Sequence, residues 1–170
     1  MNLFKWILYI LFYLILSSKA YSSEGGVCSE NKLYDGKLFQ LDVFKYGRGD
    51  YKFQFCISER QGYLISEYTK QSRSSDNSVH KSTVKLTHKL TQDIKNQYLK
   101  TLNMNLKDDL KGRDGSNWCF KPKDAFSHSK HCVWLPEYNS KERGLSELIS
   151  LGELAFEHSN LKLVGATFSE

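Results

Sequence analysis

Three observations predict an α+β fold: an antiparallel sheet, built as a meander plus a later hairpin, carrying two helices on one face and stapled by disulfides. The first half of the chain is a series of short period-two hydrophobic runs broken by glycine turns. Two cysteines occupy opposed positions of a later aromatic hairpin. Two segments of helical periodicity flank that hairpin, without the sustained β-α-β alternation of a parallel sheet.

Lys5 precedes an eleven-residue apolar run from Trp6 to Leu16, and Ser18 and Ala20 follow at the spacing of a signal-peptidase site. The run falls well short of the roughly 20 apolar residues needed to cross a bilayer as a helix. Residues 1–20 are therefore expected to be a signal peptide, cleaved near Ala20 or Ser22. Residues 21–170 then form one domain, periplasmic or secreted, with no membrane span after signal removal.

Strand-like runs begin after a polar Ser/Glu/Gly leader. Asp35-Gly36 separates residues 32–34 from 37–44 and predicts a type I′ hairpin. Gly47-Arg48-Gly49-Asp50 makes the next turn and Gln61-Gly62 the one after. Between them Tyr51, Phe53, Phe55 and Ile57 share one strand face, and Lys52, Gln54 and Cys56 the other. Residues 63–68 continue the meander and residues 70–78 read as loop. Alternation resumes over residues 79–90, with Val84, Leu86 and Leu90 on one side and Lys81, Lys85 and Lys89 on the other.

Thr91 is the expected N-cap of a helix with Asp93 in its first turn and a stripe of Ile94, Tyr98 and Leu102, widened by Leu99. That helix ends before Lys111-Gly112. Asp114-Gly115 turns into the cysteine hairpin and Pro136 stops it. Ser140 can cap a second helix in which Leu145, Leu148, Ile149, Gly152, Ala155 and Phe156 fall on one face. Gly152 in that stripe lets the helix approach the sheet closely, at a propensity cost of about 1 kcal/mol relative to Ala. Residues 161–164 read as a short edge strand.

The four cysteines, Cys28, Cys56, Cys119 and Cys132, are an even count in a chain read as exported, the mark of a disulfide framework. A four-thiolate zinc site would need paired Cys-x-x-Cys spacing, which is missing. Setting Cys119 opposite Cys132 places Trp118 across from Val133 and Phe120 across from His131. Opposed strand positions bring Cβ atoms within bridging distance, and closing so short a loop contributes roughly 3 kcal/mol. Cys28 is then expected to pair with Cys56, stapling the N-terminal segment to the sheet.

Lys5 and Lys19 leave with the signal, so 24 basic residues fall to 22 against 19 acidic ones, a net charge of +3. The excess concentrates in residues 69–100, where seven basic side chains face only Asp76 and Asp93. The ordinary meaning of such a run is a solvated surface, and its functional meaning is attraction of an acidic partner. Lys81, Lys85 and Lys89, with Tyr63 and Tyr68, are the candidate partner-binding residues.

The pattern Asp114-Gly115-Ser116-Asn117-Trp118, then Trp134-Leu135-Pro136, then Arg143-Gly144-Leu145 and a leucine-rich helix resembles a loose group of small bacterial exported or envelope proteins of unknown function. The resemblance covers about residues 90–158. It implies a bacterial source and no mechanism.

Catalytic and metal-binding patterns are sparse. Of the five histidines, His80 and His88 are eight residues apart, roughly 27 Å at strand rise, too far to share an ion. His128 and His131 stand three apart in an expected loop, with nearby acids such as Asp114 or Asp124 to build a hydrolytic site. No Gly-x-Ser-x-Gly elbow is present. Arg48-Gly49-Asp50 is read as a turn rather than an adhesion motif. The expectation is a non-enzymatic binding protein of the envelope, inhibitor- or immunity-like, with a protein or acidic envelope partner, no cofactor, no metal and no nucleic acid. The alternatives are a small envelope hydrolase using His128 and His131, and a structural envelope component.

Overall fold

The computed structural model describes residues 36–70, 78–105, 108–112, 114–123 and 129–168. Four strands run as a meander: β1 (Gly36–Lys45), β2 (Gly49–Ser58), β3 (Gln61–Thr69) and β4 (Val79–Lys85). Helix α1 (His88–Leu102) leads to β5 (Ser116–Pro122) and β6 (His131–Trp134), and α2 (Ser146–Glu157) and a 3-10 turn (Leu161–Val164) follow. All six strands form one antiparallel sheet in the order β4-β3-β2-β1-β5-β6. The α+β class, the meander and the later hairpin agree with the sequence reading.

Strand alternation decides what lies under the helices. Phe39, Leu41 and Val43 of β1, Tyr51, Phe53 and Phe55 of β2, Leu64 of β3 and Trp118 and Phe120 of β5 are buried on one face. They form a single cluster with Ile94 and Tyr98 of α1 and Leu148, Leu151, Ala155 and Phe156 of α2. Rings pack at 5 to 6 Å, as in Phe39–Tyr98 at 5.5 Å and Tyr51–Tyr68 at 4.9 Å. Gly152 earns its place in α2: a Cβ there would stand 2.4 Å from a ring carbon of Trp118.

The cysteine hairpin has the expected register. Cys119 is opposite Cys132, Trp118 opposite Val133 and Phe120 opposite His131, and the Cys119–Cys132 disulfide joins Cα atoms 4.0 Å apart. Cys56 lies on the sheet face away from the helices, as alternation required, and is disulfide-bonded and buried. Its expected partner Cys28, the signal peptide, the strand at residues 32–34 and His128 and Asp124 lie outside the described residues. Among the described residues no helix is long and apolar enough to cross a membrane.

Several local expectations are corrected. The strand at 79–90 ends at Lys85, and α1 starts three residues before Thr91 because Thr87 caps it, its side chain accepting from the Leu90 N–H. Thr91 instead is buried, donating to the Thr87 carbonyl and filling the space above Gly62, where a Cβ would meet its Oγ1 at 2.3 Å. Asp93 therefore misses the first turn, and Leu99 and Leu102 are exposed while Thr91, Ile94, Tyr98 and Thr101 form the buried stripe. The β2–β3 turn is Glu59-Arg60, both with positive φ, rather than Gln61-Gly62. The right-handed twist of a two-residue hairpin imposes that type I′ geometry even without glycine.

Ser140 caps nothing: residues 136–144 are turns, and α2 begins after Leu145. Residues 161–164 form a 3-10 turn rather than an edge strand, opened by Asn160 and closed by Gly165, both with positive φ. This segment carries Phe168 back into the core, where its ring stacks 5.0 Å from Phe156.

Two outcomes test the packing. Gly152→Ala should lose about 1–3 kcal/mol in denaturant melts, although alanine is the better helix former, because the added carbon overpacks against Trp118. The second concerns Tyr51, whose hydroxyl donates to the Thr167 carbonyl at 2.6 Å. Burial, reinforced by neighbouring Tyr68, pushes its pKa up to about 12. A raised folded-state value means full stability below the ordinary tyrosine value of 10.0 and progressive loss as pH climbs towards 12. Stability measured across that window should fall less steeply in Tyr51→Phe.

Candidate functional site

Two regions collect chemically capable side chains. The first is a pocket of about 450 Å³ at the end of the sheet where β1 leaves and β5 enters. Lys45 and Ser116 are cross-strand partners there, and Trp118, Phe168, Leu135, Glu137, Ile149 and Glu153 line it together with Tyr46, Arg48 and Gly115. The Glu137 carboxylate accepts from the Ser116 hydroxyl at 2.5 Å and from the Trp118 indole N–H at 3.1 Å, with Lys45 Nζ at 3.5 Å. Lys45 also donates to the Phe168 carbonyl and sits 4.9 Å above its ring.

Glu137 gathers these groups into a polar clamp while keeping its own side chain 35% exposed. Nucleophilic catalysis requires a hydroxyl that is both activated and open to a substrate. Ser116 is only 4% exposed, and its proton is committed to Glu137. What the trio accomplishes is satisfaction of the Trp118 N–H, which would be costly to bury unpaired.

Glu137 is positioned by a turn that one side chain organises. The Arg143 guanidinium donates to the carbonyls of Trp134 (2.7 Å), Leu135 (2.6 Å) and Tyr138 (2.8 Å) and to the Asp108 carboxylate. Leu135 and Asn139 have positive φ in this turn, a conformation that costs energy for residues with a Cβ and persists where surrounding contacts impose it. Burial alone would raise the Asp108 pKa. Hydrogen bonds from Arg143 and the Leu110 N–H, with the Arg143 charge, outweigh it and hold the carboxyl below its ordinary value.

The second region is the outer face of β3 and β4, away from the helices. Tyr63 stands opposite Lys85, Ile65 opposite Thr83 and Glu67 opposite Lys81. Lys81 reaches Glu67 at 3.3 Å while its side chain stays 72% exposed. Among the described residues Lys85 has no ion pair. Tyr63, Lys81 and Lys85 are thus brought together, whereas the other two candidates are not. Lys89 lies on α1, because the strand stops at Lys85. Tyr68 faces the helices, 7% exposed, and its hydroxyl donates to the Arg48 carbonyl.

Of the residues considered for hydrolysis, His131 opens β6 opposite Phe120 and is exposed, and Asp114 is exposed in the turn before β5. Among the described residues no three His, Cys, Asp or Glu side chains group closely enough to hold a metal ion. Sequence reasoning missed Lys45, Glu137 and Asp108, and placed Ser116 and Arg143 only within the resemblance pattern, with no site role. The available signal was Arg143 shortly after Pro136: an arginine behind a tight turn is suited to bind several carbonyls at once.

Arg143→Lys should destabilise by about 2 kcal/mol, since an ammonium cannot reproduce the planar fork that serves three carbonyls and a carboxylate. Because the Asp108 pKa is depressed in the fold, its contribution is present above the ordinary value of 3.8 and is lost as pH falls through the lower folded value. Asp108→Asn should therefore flatten the acid limb of stability against pH in chemical denaturation.

No protein-family model matches the chain, and no curated protein is similar to it.

Proposed function

We propose that this chain is an exported, non-enzymatic binding protein of the bacterial cell envelope, inhibitor- or immunity-like, that docks an acidic protein on the outer face of β3 and β4. The observation that carries the reading is the cluster of Tyr63, Lys81 and Lys85 on an exposed face of a disulfide-stapled sheet. The helical face of the same sheet is taken up by the core, and in the pocket at the sheet end Ser116, Trp118 and Lys45 are all engaged by Glu137.

Export is supported by the N-terminal pattern and by a disulfide in the fold, since such bonds persist in oxidising compartments. A tyrosine beside two lysines suits protein recognition: its ring supplies contact area at small entropic cost, while the charges steer association with an acidic surface.

The separation of Lys89 from the other lysines supplies an internal control. In a pull-down from an envelope fraction at low salt, Lys81→Glu/Lys85→Glu should lose the captured acidic protein while Lys89→Glu retains it. The difference should shrink as ionic strength rises, because exposed charges are screened within about 8 Å at physiological salt. Equal capture by the double variant and the parent would show that the lysines are only a solvated face.

A further inference from the structure

Among the described strands β4 lies at one edge of the sheet, and hydrogen-bond parity fixes which of its backbone groups β3 does not use. The Leu86 N–H donates to the Gly62 carbonyl at 3.0 Å and the Lys70 N–H to the Ser78 carbonyl at 3.0 Å. Both bonds belong to the register that pairs Leu64 with Val84, Ser66 with Ser82 and Tyr68 with His80. In an antiparallel ladder hydrogen-bonded pairs alternate with non-bonded ones, so those even-numbered residues bond to β3. The N–H and C=O groups of Val79, Lys81, Thr83 and Lys85 therefore point outward. Among the described residues no backbone hydrogen bond reaches them.

The same odd-numbered residues carry the outward lysines, and what flanks the edge differs on its two sides. On the outer face stand Val79, 50% exposed, with Lys81, Thr83 and Lys85. On the helical face the 3-10 turn packs beside β4 and presents Leu163, 83% exposed, and Val164, 43% exposed. A strand laid along β4 thus meets the lysines with one set of alternate side chains and, with the other, His80, Ser82 and Val84 flanked by the aliphatic Leu163 and Val164.

We propose that β4 takes up an extended segment of a partner protein by strand addition, and that the segment alternates acidic residues over Lys81 and Lys85 with aliphatic residues beside Val84, Leu163 and Val164. This deepens the reading above and rests on it. Backbone pairing supplies affinity and the alternation supplies specificity. Acids four residues apart match Lys81 and Lys85, and residues directly opposite on adjacent strands lie about 5 Å apart at Cβ, within ion-pair reach. A second copy of this chain is a poor occupant, since pairing β4 with itself gathers Lys81 and Lys85 of both copies on one face of adjacent strands.

The test uses a synthetic peptide as long as β4, seven residues, Val-Glu-Val-Thr-Val-Glu-Val with blocked ends, titrated at low salt against the disulfide-bonded protein. In this geometry the glutamate and threonine amides face β4 and the valine amides face away. N-methylation of the two glutamate nitrogens should weaken binding by at least about tenfold. N-methylation of the two central valine nitrogens should leave it unchanged. Thr83→Pro should abolish binding without unfolding the protein, because the N–H it removes is one that β3 does not use.

If both N-methylated peptides bind like the parent peptide while Lys81→Glu/Lys85→Glu still loses it, strand addition is wrong and recognition of acidic partners by the basic face stands. No binding of the parent peptide overturns the strand-addition proposal directly. The envelope pull-down with Lys81→Glu/Lys85→Glu then decides the broader reading separately. Since the peptide arm leaves the protein unaltered, a misfolded proline variant cannot decide the outcome.

Discussion

The structure depends on one strand being paired along both sides. β1 forms one antiparallel ladder with β2 and a second with β5, so the N-terminal meander and the later cysteine hairpin become a single sheet along its length. Phe39, Leu41 and Val43 consequently sit at the centre of the core with no exposure at all. Two aromatic surfaces too small to stand alone, that of the meander and that of the hairpin, are joined into one floor for both helices. A lone hairpin is marginal in water, whereas a wider sheet with a covered face is not.

That double pairing also decides where the sheet ends. With β5 on one side of β1, the hairpin strand β6 becomes one edge and β4 the other. β6 is only four residues long, a common way of blunting an edge. β4 is longer, carries lysines and, among the described residues, has outward backbone groups that no backbone hydrogen bond reaches. Lysine on an edge strand guards against indiscriminate pairing. Under the strand-addition proposal the same lysines would also select an acidic segment, so that protection and recognition would be one device.

The other end of the sheet shows how buried polar groups are reconciled with a dense apolar core. Trp118 must lie flat under Gly152, and its indole N–H then points to the sheet end, where Glu137 accepts it. Glu137 also takes the Ser116 hydroxyl and lies near Lys45, so a chemically suggestive trio is accounted for by one tryptophan's geometry. Arg143 holds the intervening turn by its backbone carbonyls.

The sequence by itself determined what local chemistry controls. Period-two runs marked the meander, opposed cysteines set the hairpin register with Trp118 over Val133, and the Leu148, Gly152 and Ala155 stripe marked the second helix and its close approach to the sheet. Its errors were at boundaries and in facing. Thr87 and Thr91 are both competent caps, and only the fit of Thr91 above Gly62 chose between them. Lys89 continues the alternation of Lys81 and Lys85 on paper, but the chain turns into a helix at His88, so the apparent row divides. Tyr68 and Tyr63 belong to one strand yet face opposite ways, and which parity is buried follows from the register with β2 and β4. Lys45, Ser116 and Glu137 come from three separate places in the chain, and no local pattern encodes their meeting. Only the tertiary structure could decide them, because that meeting is set by which strands pair, and pairing is won by burying the aromatic face of the whole sheet at once.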